Sequence, residues 1–389
     1  MPKLDVTVSC PVYSSFRVEQ VAGMFDVPAE QRASERFQVE VPDLGHGWQV
    51  GLIVGPSGSG KSTIARELLG PCLYDRGPWP DDRAVVDCLG DRPIKEITAL
   101  LTVVGFSSPP SWIKPYRALS NGEQFRCDLA RALAQAGNAQ AESGERKAEG
   151  NEATSDDPFR SPLSAFRFPL VAFDEFTSVV DRNVARIVSA AIAKGIRGGL
   201  IRCRFVAVTC HYDVTEWLAP DWVIDMASST FSRRCLPRPE IHLEVFRCRR
   251  RAWGMFARHH YLTGAISPSA RCFLALWEGA PVTFCATIPQ IGRRRHWRVT
   301  RIVTLPDYQG VGIGMAVLEA VAGMHRREGL RISVTASHPA LVAHCRRSPR
   351  WRAKSVKRTG SARARRFKPN YRGSGGRAVV SFEYTGPEQ

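Results

Sequence analysis

Apolar and polar positions follow one rhythm in the first half of the chain and another in the second. Leu4-Asp5-Val6-Thr7-Val8 and Phe37-Gln38-Val39-Glu40-Val41 alternate with a period of two, which predicts strands with one covered face. Val50-Gly51-Leu52-Ile53-Val54 is an unbroken apolar run and predicts a strand buried on both faces. Pro169 to Phe173 and Arg204 to Thr209 predict two more of that kind, while Thr63 to Leu69 and Arg126 to Ala136 read as helices. Residues 137–162 are rich in Ala, Glu, Gly, Ser and Asp, with no large apolar residue before Phe159. Residues 138–155 therefore predict a disordered surface insertion, with a charged helix continuing from Ala136 as the alternative.

After Leu236-Pro237-Arg238-Pro239, a proline-marked linker, the rhythm changes. Ile241 to Val245 predicts a strand and Arg250 to Arg258 a helix. Arg271 to Trp277, Pro281 to Ile288 and Trp297 to Leu305 predict three successive strands of an antiparallel meander. An amphipathic helix over Met315 to Glu328 follows, then a strand from Leu330 to Ala336 and a short helix from Ser337 to Arg346. Trp351 to Val356 and Ala378 to Tyr384 predict the last two strands. The pattern implies an α/β chain of two domains, 1–235 and 236–389, since 389 residues exceed one ordinary core.

Two glycine runs sit at strand-to-helix junctions. The first, Gly55-Pro56-Ser57-Gly58-Ser59-Gly60-Lys61-Ser62-Thr63, fits the phosphate-binding P-loop pattern at every constrained position. Glycines there let backbone N–H groups turn towards a phosphate, and the helix start adds a partial positive charge. Lys61 is placed for the β- and γ-phosphates of a nucleotide and Ser62 for its Mg²⁺. Farther on, Leu119-Ser120-Asn121-Gly122-Glu123 precedes a helix, Asp174-Glu175 ends a buried strand, Ser178-Val179-Val180-Asp181 follows, and His211 ends another strand.

That order resembles the ABC-type ATPases over roughly residues 1–235. The resemblance implies Mg²⁺ held by Ser62 and Asp174, Glu175 as base for the attacking water, and His211 as the histidine on the γ-phosphate. It implies that Ser120, Gly122 and Asp181 close over the nucleotide of a second subunit, giving an ATP-dependent homodimer. It also implies an aromatic stacked on adenine ahead of the P-loop, for which Phe25 is the candidate; Phe25 fits a core position equally well. Ser120-to-Glu123 is also a common helix-capping sequence. No glutamine occurs between Gln49 and Gln124, so the loop that couples such ATPases to a transport domain is missing. A soluble clamp or motor is expected rather than a transporter.

The second run, Gln309-Gly310-Val311-Gly312-Ile313-Gly314, joins the meander to the amphipathic helix. A dinucleotide loop is the competing reading, since G-x-G alone is a weak signal. The succession of strands and helices resembles the GNAT acyltransferases instead. That resemblance implies a GNAT-like α/β domain whose loop holds the pyrophosphate of acetyl-CoA, with Val303 on the strand entering it. Such enzymes often protonate the departing thiolate with a tyrosine on the short helix. Here His344 stands at that offset from Ala340, either for the same proton transfer or facing solvent. His260 and Tyr261, in Arg258-His259-His260-Tyr261-Leu262, are candidates for the acceptor side.

Charge narrows the partners. The net charge is +17, and residues 345–377 hold thirteen Lys or Arg with no Asp or Glu, interleaved with Trp351, Phe367 and Tyr371. Basic side chains release counterions from phosphates and aromatics stack on unpaired bases, so nucleic acid is the expected partner, through a basic loop at 357–377. Arg247 to Arg251 and Arg293 to Arg295 add two clusters. A solubilising tail is the plainer reading of the same residues. The eleven cysteines include no C-x-x-C pair, which argues against zinc and for a reducing cytoplasm. No apolar run reaches the roughly 18 residues of a membrane span, and no signal-like stretch follows Met1. The expectation is an ABC-type ATPase fused to an acetyl-CoA-dependent acyltransferase acting on nucleic acid. The alternatives are a DNA-structural ATPase whose second domain only binds, and an acyltransferase of a protein or small amine regulated by ATP.

Overall fold

The computed structural model describes residues 3–27, 32–41, 47–146, 169–233, 237–260, 264–358 and 378–386. In chain order the elements are β1 (Lys3–Pro11), α1 (Phe16–Phe25), β2 (Arg32–Glu40), β3 (Val50–Val54) and α2 (Lys61–Leu69). Then come α3 (Ile94–Val103), α4 (Pro109–Trp112), α5 (Asn121–Arg146), β4 (Leu170–Phe173) and α6 (Arg182–Arg197). β5 (Arg204–Thr209), α7 (Val214–Leu218), β6 (Trp222–Asp225) and β7 (Thr230–Arg233) follow. The rest is β8 (Glu244–Cys248), β9 (Arg271–Trp277), β10 (Ala280–Pro289), β11 (His296–Thr304), α8 (Ile313–Arg327), β12 (Arg331–Ala336), α9 (Pro339–Arg347), β13 (Trp351–Arg358) and β14 (Ala378–Tyr384).

These elements gather into two compact units. One comprises Met1–Gly77, Gln135–Val179 and Ile196–Arg238; the other comprises Pro78–Ala134, Val180–Gly195 and Pro239–Gln389. The division differs from a cut after residue 235. Pro78–Ala134 and Val180–Gly195 precede that cut in sequence, yet they pack with the later residues.

The first unit is built on a five-stranded sheet of order β4-β5-β3-β6-β7. β3 lies parallel to both β5 and β6, and β4 parallel to β5. Every residue of β3, β4 and β5 is buried, which is why these strands read as unbroken apolar runs. β7, antiparallel on β6, is mostly exposed and carries Thr230, Ser232 and Arg233. A core of Ile53, Ile64, Leu69, Val206, Val208 and Ile224 lies between sheet and α2, with Trp48 edge-on to Trp222 at 5.4 Å. The hairpin β1–β2 forms a separate two-stranded sheet.

The second unit holds a seven-stranded sheet of order β13-β14-β12-β11-β10-β9-β8. Its one parallel pair is β11–β12, and that ladder joins His296–Val299 to Arg331–Val334. Thr300 is an extra residue on β11, because Ala286 faces Arg301 while Thr287 faces Val299. A bulge bends its strand, so the later half of β11 departs from β12 just before the glycine run. α8 packs on the sheet through Ile313, Val317, Leu318, Val321 and Ala322. The helical residues of this unit dock on the same body. Trp112 lies 6.3 Å from the His338 ring, and burial pushes the His338 pKa down.

Several expectations change in detail. The helix expected over Arg250 to Arg258 is two 3₁₀ turns, Arg250–Met255 and Ala257–His259. The strand expected at Ile241 to Val245 forms three residues later, as the edge strand β8. α5 continues as backbone helix to Arg146, so the start of the expected disordered insertion 138–155 is helical. The remainder of that stretch, and most of the basic loop 357–377, lie outside the described residues.

Candidate functional site

The central position of β3 decides where the first glycine loop opens. A parallel strand flanked on both sides delivers its carboxyl end to the edge where a ligand can approach. α2 then begins at Lys61, with Gly60 as N-cap at φ 80° and no side-chain cap bond. A Cβ on Gly60 would lie 2.4 Å from the Phe37 ring, so β2 approaches the loop at a point where no side chain fits. Ser59 Oγ is buried without a hydrogen-bond partner among the described residues, and Lys61 Nζ donates to Pro56 O at 2.5 Å. An uncapped helix start with an orphaned hydroxyl beside it suits a phosphate.

The loop opens into a cleft of about 860 Å³. Ser57, Gly58, Gly60, Lys61, Ser62 and Thr63 line one wall, and Asp174 and Glu175 enter from the end of β4. Gly55, Pro56 and Ser59 complete the turn without lining the cleft. Cys210 lines it and His211 follows at half exposure, its N–H donating to Thr209 Oγ1 at 3.2 Å. Phe25 is 71% exposed on a helix with no buried residue, so it is not a core phenylalanine. Nor does it line the cleft; Phe37 does, together with Val8, Cys10, Ser34 and Glu35 of the hairpin. In the sequence Phe37 reads only as part of a strand, because strand periodicity does not distinguish an aromatic that faces a cleft from one that faces a core.

The two carboxylates stand on a strained turn. Glu175 has φ 52° and Thr177 φ 67°, a conformation costly for a β-branched residue. Thr177 is fully buried and its Oγ1 has no hydrogen-bond partner among the described residues. The turn is pinned by Phe176, whose N–H donates to Val208 O at 2.8 Å and whose ring packs edge-on against Phe173 and Phe205. Arg76 holds the other side. Its Nη2 donates to the carbonyls of Asp174 and Glu175 at 3.2 and 3.5 Å, and its Nη1 lies 3.9 Å from Glu175 Oε2. Asp174 Oδ1 accepts the Glu175 N–H at 2.8 Å. Arg76 has no sequence signal, since it lies in a loop far along the chain.

The remaining nucleotide candidates belong to the second unit. Ser120 and Glu123 form a reciprocal capping box at the start of α5: the Ser120 N–H and Oγ donate to Glu123 Oε2 at 3.1 Å, and the Glu123 N–H donates to Ser120 Oγ at 3.4 Å. The capping alternative is therefore realised. Asp181 caps α6, accepting from the N–H groups of Asn183 and Val184 at 2.9 and 3.1 Å. A Cβ on Gly122 would meet Arg126 Nη1 at 3.5 Å and the Val184 methyls at 3.8 Å, ordinary contact distances that leave room for a small side chain.

The second glycine run is held by the helices around it. Gln309 Nε2 donates to Thr304 O at 2.9 Å, and its Oε1 accepts the Ser107 N–H at 2.8 Å. A Cβ on Gly310 would lie 2.9 Å from both Ala191 Cβ and Gly105 Cα. On Gly314 it would meet Thr304 Oγ1 at 2.7 Å, and on Gly312 Lys194 Nζ at 2.8 Å. The three glycines thus serve different neighbours, and Gly310 and Gly314 are small for packing within the protein. Gly312, at φ 102°, is the N-cap of α8 and has no side-chain cap bond. Val303 and Ile313 are buried, Val303 in a cluster with Trp253, Phe256 and Phe284.

His344 is not free in solvent. Its Nε2 lies 2.9 Å from Glu319 Oε1, and Glu319 also accepts from Ser348 Oγ at 3.2 Å and Arg350 Nη1 at 2.8 Å. Burial works to raise the Glu319 pKa, but His344 and Arg350 outweigh it and hold the carboxyl below its usual range. His260 follows the second 3₁₀ turn with its ring edge-on to Trp253 at 5.7 Å. Tyr261 lies outside the described residues. Among the described residues no group of three or more His, Cys, Asp or Glu could hold a metal ion, and no helix is long and apolar enough to cross a membrane.

Residues 231–346 match the Acetyltransferase (GNAT) family. Similar solved structures include the ribosomal-protein-S18-alanine N-acetyltransferase of Escherichia coli, at 16% identity over 37% of this chain and 93% of that one, with a TM-score of 0.29. A Bacillus subtilis acetyltransferase in complex with CoA is similar at 11% identity, over 37% and 98%, with a TM-score of 0.29. The ATP-binding cassette MJ0796, in a dimeric post-hydrolysis state bound to ADP and Pi, is similar at 15% identity, over 53% and 94%, with a TM-score of 0.34. A search of curated proteins returns no match to this chain.

Proposed function

We propose that this chain hydrolyses ATP at the P-loop cleft and transfers an acetyl group from acetyl-CoA at the second glycine loop, with nucleic acid as the acceptor. The observation that carries the reading is the convergence of Lys61, Ser62, Asp174 and Glu175 in one cleft, while a second glycine loop opens the helix of the family-matched region. Phosphate is gripped by the same means in both places: N–H groups of a left-handed glycine turn at an uncapped helix start.

At the first site Ser62 and Asp174 would hold Mg²⁺, which would offset phosphate charge. Lys61 would leave Pro56 O for the β- and γ-phosphates. Glu175 would take the proton of the attacking water, on a turn kept in place by Phe176 and Arg76. His211 would contact the γ-phosphate. At the second site the acceptor amine would attack the acetyl carbonyl, giving up a proton to solvent as the amide forms, and the thiolate would leave. His344 would return a proton to that thiolate, oriented by Glu319. His260 and Tyr261 would stand on the acceptor side. Ser120, Gly122 and Asp181 would close over the nucleotide of a second copy, in a reducing cytoplasm.

The basic residues favour nucleic acid over a protein acceptor. Arg352, Lys357 and Arg358 stand exposed on β13, within the acid-free basic stretch 345–377. The test is incubation of the full chain with labelled acetyl-CoA and DNA or RNA, with and without Mg-ATP, followed by mass analysis of the nucleosides. A nucleoside heavier by one acetyl group is the expected result. Label on the protein or on a small amine, and none on nucleosides, overturns the nucleic-acid acceptor.

A further inference from the structure

The edge of the first sheet is lined by a segment that carries no motif. β4 is the outermost strand there, and Leu73 forms a parallel bridge with Ala172 of that strand. The Tyr74 N–H donates to Ala172 O at 2.7 Å, and the Tyr74 ring stacks on Phe173 at 5.2 Å with 14° between the planes. Residues 73 and 74 are thus fixed against the end of β4, beside the turn that carries Asp174 and Glu175. Arg76 follows, its guanidinium 5.1 Å from the centre of the Phe173 ring. All of these residues belong to the first unit.

The guanidinium meets that turn at three points. Nη2 donates to Asp174 O at 3.2 Å and to Glu175 O at 3.5 Å, while Nη1 lies 3.9 Å from Glu175 Oε2. A planar fork holds the main chain and the carboxylate of Glu175 together, which a point-like ammonium cannot do. The conformation it holds is uncommon for a residue with a side chain, since Glu175 has φ 52°. The Glu175 side chain is 68% exposed, and among the described residues no other cation reaches ion-pair distance of it. Arg76 is not among the residues that line the nucleotide cleft, so it acts on a nucleotide only through the turn.

We propose that Arg76 is a positioning residue for ATP hydrolysis, needed for the chemical step and dispensable for nucleotide binding and for folding. It sets where the Glu175 carboxylate stands in the cleft, through the main chain as well as the side chain. The proposal rests on the reading of Glu175 as the base. Misplacing a reacting group by about 1 Å costs on the order of a hundredfold in rate, so loss of the fork is felt in turnover while the phosphate cradle at Lys61 and Ser62 stays intact.

The test uses the full chain. Steady-state ATP hydrolysis gives kcat and KM, calorimetry gives ATP affinity, and thermal melting reads the fold. Arg76→Ala is expected to lower kcat about ten- to a hundredfold, with KM, ATP affinity and melting close to wild type. Millimolar guanidinium chloride, at constant ionic strength, should restore part of that turnover and none in Glu175→Gln. Arg76→Lys keeps the charge without the fork and should stay down by a similar factor. Full activity in Arg76→Lys would reduce the role to charge and overturn the positioning assignment. Weakened ATP binding or lowered melting in both Arg76 variants, without rescue by guanidinium, would make Arg76 a structural brace, with the same consequence. Wild-type kcat in Arg76→Ala beside an inactive Glu175→Gln overturns the assignment alone. A Glu175→Gln chain that hydrolyses ATP at the wild-type rate overturns the reading of Glu175 and the assignment with it.

Discussion

Removing Asp307 should damage the protein more than removing the arginine it faces. The Arg126 side chain is 1% exposed, that of Asp307 is 54% exposed, and their charged atoms are 3.7 Å apart. At an effective dielectric near 20, that separation gives an attraction of about 4 to 5 kcal/mol. Solvent on the exposed partner screens roughly half of it, leaving about 2 kcal/mol. Burial pushes the Arg126 guanidinium below its usual pKa; the Asp307 carboxylate opposes this most, with Glu123 and Asp181 adding less. Asp307→Asn leaves a desolvated cation without its main counterion and should lower the unfolding free energy by about 2 kcal/mol. Arg126→Met removes the cation together with its desolvation cost and keeps an apolar stem, so it should cost under about 1 kcal/mol. The double variant should match Arg126→Met, a coupling of about 2 kcal/mol. Urea unfolding of the four proteins, compared by midpoint at constant slope, reads these differences. Should Asp307→Asn unfold at the wild-type midpoint, or Arg126→Met prove the more damaging, the electrostatic reasoning is wrong.

Three further outcomes are expected. Glu175→Gln should lower ATP hydrolysis by about 10²- to 10⁴-fold while retaining ATP binding, and light scattering should find a dimer with Mg-ATP; a variant that binds ATP and stays monomeric would sink the paired-head arrangement. Nucleic-acid affinity should fall steeply with salt, and deletion of residues 358–372 should flatten that slope; a flat wild-type response would favour a protein or small-molecule acceptor. Arg331 and then Lys354 hold the buried Glu383 carboxyl, against burial, to about 2 from an ordinary 4.5. A depressed carboxylate stabilises the fold above its unfolded pKa, and that stability is lost as pH falls towards the folded value. Melting temperature should therefore drop between pH 4.5 and 2, and drop less in Glu383→Gln; identical acid profiles would remove this ion pair from the stability of the sheet.

The sequence by itself determined what is local. β3, β5 and β4 could be read because burial on both faces leaves an unbroken apolar run. Each glycine loop is contiguous, so recognising it needs only the strand before it and the helix after it. Ser120 and Glu123 cap their helix from three residues apart, so they too were legible, though the sequence left open whether they do anything else. What the tertiary structure decided depends on residues that meet across long spans of chain. Arg76 reaches the Asp174 carbonyl from 98 residues away, and Lys194 reaches Val311 from 117. A lone basic residue in a loop or on a helix face has no period, cap or spacing to mark it. The same holds for the grouping of Pro78–Ala134 and Val180–Gly195 with the later residues. A linker is visible as a proline cluster, but which surface a helix covers is set by complementary shape and charge. The close approach of the Gly105 and Gly310 backbones and the pairing of the Arg126 and Asp307 side chains are brought about by the fold alone.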